Sequence, residues 1–175
     1  MSRVLVYGLG IAGTSVARAL IARGSEVVLA DDQLTSQHEQ LGRELGTEIF
    51  PAGDLGALAV LVKNVDSVMP APGVPETHPL FAISIDAQKE MLSEIELAYR
   101  WEQSRNGGPR PILAVTGTDG KTTTTLMAAA MIRASGMRVA AVGNTETPFI
   151  DALDSDAEAF VVECSSFRLA LTSTF

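Results

Sequence analysis

The run Thr116-Gly117-Thr118-Asp119-Gly120-Lys121-Thr122-Thr123 places two glycines, a lysine and several hydroxyls between an apolar run and a helical pattern. Those residue types in that order suit a phosphate cradle. The glycines let the backbone curl so that consecutive N–H groups point inward at phosphate oxygens. A helix starting at Lys121 adds the positive end of its dipole. Lys121 can reach β- and γ-phosphates as a point charge, and the Thr122 hydroxyl can go to Mg²⁺. The expected ligands of this loop are ATP and Mg²⁺. The general pattern asks for a further glycine where this chain has Val115. The alternative is a plain glycine turn joining strand to helix, although such a turn does not require Gly-Lys-Thr at the helix start.

Glu163 ends the apolar run Ala159–Val162. A carboxylate there is expected to project toward the phosphate crevice as an acidic Mg²⁺ partner, the alternative being a strand-end glutamate facing water. Ser165 and Ser166 suit either phosphate binding or the cap of a following helix. A nucleophilic role has no support, because no histidine lies nearby to act as base.

A second glycine cluster, Gly8-x-Gly10-x-x-Gly13, follows the strand-like Arg3–Tyr7 and opens a helical pattern, with Asp31 and Asp32 after the next strand. Alone it reads as a dinucleotide fingerprint, which would make the protein an NAD-dependent enzyme or an NAD-binding module. The glycines would otherwise serve only close strand–helix packing. The two histidines do not pair with the single cysteine at zinc-site spacing. His38 is expected to be solvated, His78 to cap or pack a turn, and Cys164 to be a small buried filler. Tyr99 and Trp101 read as core or domain-contact residues.

The elements that must carry these groups alternate between strand and helix, which argues for parallel βα units and an α/β fold. Strands are expected at Arg3–Tyr7, Glu26–Ala30, Glu48–Phe50 and Ser67–Met69, with helices at Ala12–Arg23 and Ser36–Leu45. Pro70, Pro72 and Pro75 mark a rigid turn. Ser93–Gln103 reads as a helix capped by Ser93, with Glu96 three residues on. Ser104–Pro111 reads as a linker. The rhythm then restarts with a strand at Ile112–Val115, a helix at Lys121–Ser135, and strands at Arg138–Val142 and Ala159–Glu163. The expected division is a Rossmann-like domain over 1–107 and a partial ATP-binding domain over 108–175. Too little sheet follows the linker for a whole second domain, so the expectation is a fragment without ligase activity of its own.

With 175 residues, 46% of them hydrophobic and 19% charged, the chain belongs to the folded class. A net charge of −8 gives no electrostatic footprint for nucleic acid or anionic membrane. One cysteine excludes an internal disulfide and fits a reducing compartment. No stretch approaches the ~18 apolar residues of a membrane span. A cytoplasmic monomer is expected.

Taken in order, these segments resemble the Mur ligases. Gly117-Thr118-Asp119-Gly120-Lys121-Thr122-Thr123 is similar to the ATP loop of Mur ligases and folylpolyglutamate synthetases, which use this shorter glycine spacing. Glu163-Cys164-Ser165-Ser166-Phe167-Arg168-Leu169 is similar to the Glu-Leu-Ser-Ser-Phe-Gln-Leu segment of the D-glutamate-adding branch. Gly143-Asn144 with Pro148, Ala71-Pro72-Gly73 with His78-Pro79, and Ser93-Glu94-Ile95-Glu96-Leu97 resemble further segments of that branch. The resemblance implies ATP-dependent addition of D-glutamate to UDP-N-acetylmuramoyl-L-alanine through an acyl phosphate, in peptidoglycan synthesis. It implies Lys121 and Glu163 as catalytic residues, Thr122 and Glu163 as Mg²⁺ ligands, and residues 117–123 as the ATP loop. It implies UDP-sugar contacts from Gly10, Ile11, Ala12, Asp31, Asp32, Ala71, Pro72, Gly73, Asn144 and Ser165. Another Mur-type or folylpolyglutamate-type ligase, or an NAD-binding oxidoreductase, is the alternative. The departures are Thr145-Glu146 for Ile-Gly, Cys164 for leucine, Arg168 for glutamine and Ala71 for serine. The family's later histidine, carbamylated lysine and C-terminal domain have no counterpart in this sequence.

Overall fold

The computed structural model describes residues 2–144 and 147–175, so the Thr145-Glu146 departure lies outside the described residues. The chain forms two compact units, Met1–Leu92 and Ser93–Phe175. Both are α/β with parallel sheets, as the alternating pattern implied.

The first unit runs β1 (Arg3–Tyr7), α1 (Ile11–Ala22), β2 (Glu26–Asp31), α2 (Ser36–Leu45), β3 (Ile49–Pro51), α3 (Leu55–Lys63), β4 (Ser67–Pro70), α4 (Pro79–Asp86) and β5 (Glu90–Met91). Its sheet order is β3-β2-β1-β4-β5, all parallel. Strands buried on both faces read as continuous apolar runs, which is why Val4–Tyr7 and Val27–Ala30 show no alternation. Leu5, Val28, Leu58, Val62, Val68 and Leu80 join one core. The strand order reverses between β1 and β4, and in open α/β sheets ligands bind at such a switch point. Pro70 is tolerated because β5 pairs only with Ser67 and Val68 of β4, leaving no partner waiting for the missing N–H.

The second unit contains α5 (Glu94–Gln103), β6 (Ile112–Val115), α6 (Lys121–Ala134), β7 (Val139–Gly143), α7 (Phe149–Ala152), β8 (Ala159–Glu163) and α8 (Ser166–Leu169). Its sheet order is β6-β8-β7, with β8 fully buried between its neighbours. The units divide ahead of α5, whereas the linker composition had suggested residue 107. The reason is polar bonding: Glu94, Glu96 and Glu102 of α5 all bond groups of the second unit.

Glu102 and Arg110 close the 104–109 segment. The Arg110 guanidinium meets Glu102 Oε2 at 2.7 Å and Oε1 at 3.0 Å, and donates to the carbonyls of Leu153, Ser155 and Ala157. It also lies 4.4 Å from the Phe160 ring centroid. Ser93 caps α5 as expected, accepting the Glu96 N–H at 3.3 Å. Glu96 does not complete a capping box. Its carboxylate instead accepts from Thr174 Oγ1, Arg100, Ser173 N–H and Phe175 N–H.

Burial alone would raise the Glu96 pKa, but these donors outweigh it and hold the group below the ordinary 4.5. A depressed folded pKa contributes stability that is whole above the unfolded value and fades as pH falls below it. Acid unfolding of the second unit should therefore shift to higher pH in Glu96→Gln. An identical acid midpoint would show that Glu96 has no such role.

Candidate functional site

The phosphate-loop residues sit where β6 hands the chain to α6. Gly117 takes φ +149° and Gly120 φ +73°, conformations that side chains other than hydrogen resist. Gly120 is the N-cap of α6 and no side chain caps the helix, so its first N–H groups face the loop. Lys121 Nζ donates to Gly117 O at 2.8 Å and Thr118 O at 3.0 Å, which centres the ammonium on the loop. Thr118, Asp119, Thr122 and Thr123 are exposed.

Glu163 lies at the C-terminal end of β8, beside Val115 and Gly143 in register. It is 1% exposed, so the reading of a glutamate turned to water is corrected: neighbouring strands cover it on both sides. Asn144 Nδ2 donates to Glu163 Oε1 at 3.2 Å, and the Asn144 N–H to Glu163 O at 2.9 Å. Gly143, at φ +105°, permits this approach; a Cβ there would lie 2.4 Å from Glu163 O. Glu163 Oε2 is buried with no partner among the described residues. A buried carboxylate oxygen without a donor is costly, and a hard cation with oxygen ligands relieves that cost. An oxygen left in that state on Glu163 therefore fits a hard divalent cation such as Mg²⁺.

Ser165 caps α8, its hydroxyl accepting the Arg168 N–H at 3.4 Å. Cys164 is fully buried, and burial pushes its thiol up to about 11, so it is protonated and unreactive at neutral pH. Arg168 is buried against Glu94.

In the first unit, Gly8, Gly10, Asp31, Asp32 and Ala71 gather at the switch point. Gly8 takes φ +87° and packs its backbone on Ala71 and Val74. A Cβ on Gly13 would lie 1.9 Å from Gly8 O, so close helix–strand packing requires glycine there. Gly10 differs: a Cβ would meet nothing within 4 Å, which leaves open space at the mouth of the loop. Asp31 Oδ2 accepts the Leu9 N–H at 2.8 Å and Oδ1 the Gln33 N–H at 3.1 Å, fixing the loop from below. Ala71 N–H donates to Tyr7 O at 2.7 Å, which aligns the Ala71-Pro72-Gly73 segment with the end of β1. Ile11 is 72% exposed at the first position of α1, while Ala12 is buried behind it.

Two residues that sequence reading had not placed at the site complete it. Tyr7 OH donates to Asp32 Oδ1 at 2.6 Å. His78 Nε2 lies 3.3 Å from both that oxygen and the Tyr7 hydroxyl. His78 Nδ1 accepts the Leu80 N–H and caps α4, so Nε2 carries the proton in the neutral ring and donates toward Asp32. Burial and the Asp32 contact raise the Tyr7 pKa well above its ordinary value. Tyr7→Phe should cost the first unit about 1.5–3 kcal/mol, the worth of a hydrogen bond to a charged group. An unchanged urea midpoint would show that Asp32 needs no such anchor. His38 is half-buried on α2, not solvated as expected, because α2 turns that edge inward.

Residues 115–174 match the Mur ligase middle domain family. The chain is 42% identical over 176 residues to UDP-N-acetylmuramoylalanine--D-glutamate ligase of Frankia casuarinae, covering 98% of this chain and 36% of that protein. The enzyme of the same name from Thermobifida fusca is 40% identical over 179 residues, covering 98% and 37%. The chain thus spans a little over a third of the length of these curated relatives. Among solved structures, a pseudomurein peptide ligase type C from Methanothermus fervidus shares the fold at TM-score 0.52 and 22% identity, over 95% of this chain and 33% of that one. UDP-N-acetylmuramate:L-alanyl-gamma-D-glutamyl-meso-diaminopimelate ligase from Neisseria meningitides does so at TM-score 0.55 and 17% identity, over 95% and 55%.

Proposed function

The chain belongs to the Mur ligase family, and from that premise we propose that it supplies the uridine-nucleotide and ATP sites of a ligase that joins D-glutamate to UDP-N-acetylmuramoyl-L-alanine. The observation that carries this reading is the buried Glu163 Oε2, without a partner among the described residues, beside a loop whose lysine and helix N-terminus suit a triphosphate. A carboxylate is a poor electrophile at neutral pH. In the proposed reaction the acid substrate's carboxylate oxygen bonds to the γ-phosphorus of ATP and ADP leaves. The amine nitrogen of D-glutamate then bonds to the acyl carbon, inorganic phosphate leaves, and the amine loses a proton.

Phosphoryl transfer needs positioning and charge neutralisation more than covalent help. The N–H groups of the loop and of the first turn of α6 bind phosphate oxygens. Lys121 offsets charge that builds between the β- and γ-phosphates. Glu163 and Thr122 would hold Mg²⁺, which when bound neutralises phosphate charge. In the first unit the space over Gly10 admits a diphosphate, and Asp31 and Asp32 offer acceptors to the nucleoside. The resemblance also assigns Ile11, Ala12, Pro72 and Gly73 to that ligand. No membrane-spanning helix occurs among the described residues. A cytoplasmic monomer remains the proposed state.

Gly10→Val tests the first-unit site. Its φ of −68° suits any residue and its Cβ meets no protein atom, so the fold should hold. Titration calorimetry should show UDP-N-acetylmuramoyl-L-alanine binding in the wild type and none in the variant. Equal affinity in both would place the substrate elsewhere.

A further inference from the structure

Glu94 is 3% exposed and Arg168 6%. Glu94 Oε1 accepts the Ile150 N–H at 2.7 Å, while Oε2 accepts from Arg168 Nη1 at 2.5 Å. Ile150 belongs to α7, reached from the end of β7 through Asn144. Arg168 belongs to α8, which directly follows Glu163-Cys164-Ser165. One carboxylate of α5 therefore ties together the helices that follow Asn144 and Glu163. Those two residues meet at the sheet edge through the Asn144 Nδ2–Glu163 Oε1 bond and the Asn144 N–H–Glu163 O bond.

A buried ion pair is a weak source of stability, since apolar side chains of the same volume fill such a place without the desolvation penalty. Burial indeed raises the Glu94 pKa against the pull of Arg168. A pair kept under those conditions suits a geometric task. The geometry here offers one, because the two helices it ties follow Asn144 and Glu163 in the chain.

We propose that Glu94 and Arg168 are positioning residues whose charge pair fixes the exits of β7 and β8, and so presents Glu163 Oε2 to the divalent cation of a bound nucleotide. The proposal rests on the reading of the second unit as a Mg·nucleotide site. Arg168 stands where the resembling segment has a neutral glutamine, so here the bracket is built from charges. Glu94→Gln keeps an acceptor for the Ile150 N–H and leaves Arg168 unpaired. Arg168→Gln leaves Glu94 unpaired. The double variant removes both charges together and strands neither.

The test titrates ADP into the chain, with and without Mg²⁺, for the wild type, both single variants and the double variant. Hydrogen exchange at Asn144, Glu163 and Ser165 is followed in parallel. The Mg²⁺-dependent gain in ADP affinity should fall about tenfold or more in each single variant, as when a residue supporting a metal ligand is lost. Metal-free ADP affinity, which depends on the loop and Lys121, should not change. The double variant should recover most of the gain, and exchange should quicken in the single variants only. A merely structural loss would lower both affinities together. An intact Mg²⁺ gain in the single variants, or a double variant equal to the sum of the two, overturns the proposal. If the wild type binds no ADP, the nucleotide reading fails separately, and unchanged exchange in the single variants overturns the bracket as well.

Discussion

Lys121→Ala should abolish ATP turnover in a protein that contains this chain, at an unchanged melting temperature. Among the described residues the ammonium bonds two carbonyls of an exposed loop, so folding loses little. The ligand loses far more. A hydrogen bond between charged groups is worth about 1.5–3 kcal/mol of ground-state binding. Removing a donor aimed at developing charge costs about 10²–10³ in rate. Phosphate release measured with ATP, UDP-N-acetylmuramoyl-L-alanine and D-glutamate checks the expectation. Near-normal turnover would remove the ATP assignment from this loop.

Arg110→Ala should be the most damaging single change to the second unit. Arg110 is 9% exposed and Glu102 2%, and the guanidinium satisfies three carbonyls besides the carboxylate. Removing one partner of a buried pair costs about 3–5 kcal/mol because the other charge is left unsolvated. A domain is stable by only about 5–15 kcal/mol. Urea unfolding should show the unit at the margin of folding, and Glu102→Leu/Arg110→Met should recover much of the loss. A cost below about 1 kcal/mol for Arg110→Ala would put the pair with exposed ion pairs of little worth.

The candidate phosphate loop could be singled out because chemistry restricts its residue types. A cradle for phosphate needs glycine at Gly117 and Gly120 and a cation at Lys121, and few other turns need all three. The α/β class and most strands were legible for a similar reason, since two-sided burial forces continuous apolar runs. Helices α3 and α4 were not read. α3 is nearly uniform in its apolar character, so no period stands out, although Asp54 caps it through the Ala57 N–H. α4 is capped by His78, which is not among the favoured capping residues. α7 and α8 have four residues each, too few to show a repeat.

The site's supporting bonds were the least legible part. Glu94 and Arg168 are 74 positions apart, and Tyr7 and His78 are 71 apart. No local pattern marks partners brought together only by the sheet. Linker composition pointed to the 104–111 stretch, but contacts decide a domain boundary, and α5 bonds forward past that stretch. Glu163 could be singled out because a strand end at the carboxyl edge of a parallel sheet is a privileged place. Its burial depended on Gly143 and Asn144, whose roles show only when β7 and β8 lie side by side.

If the chain carries a uridine-nucleotide site as well as an ATP site, its two glycine motifs allow one direct discrimination. Titration calorimetry on the chain should compare UDP-N-acetylmuramoyl-L-alanine with NAD. Saturable binding of the UDP-sugar and no detectable heat with NAD are expected. Binding of NAD with indifference to the UDP-sugar would contradict it, and would return the first unit to the dinucleotide reading that Gly8, Gly10 and Gly13 permit on their own.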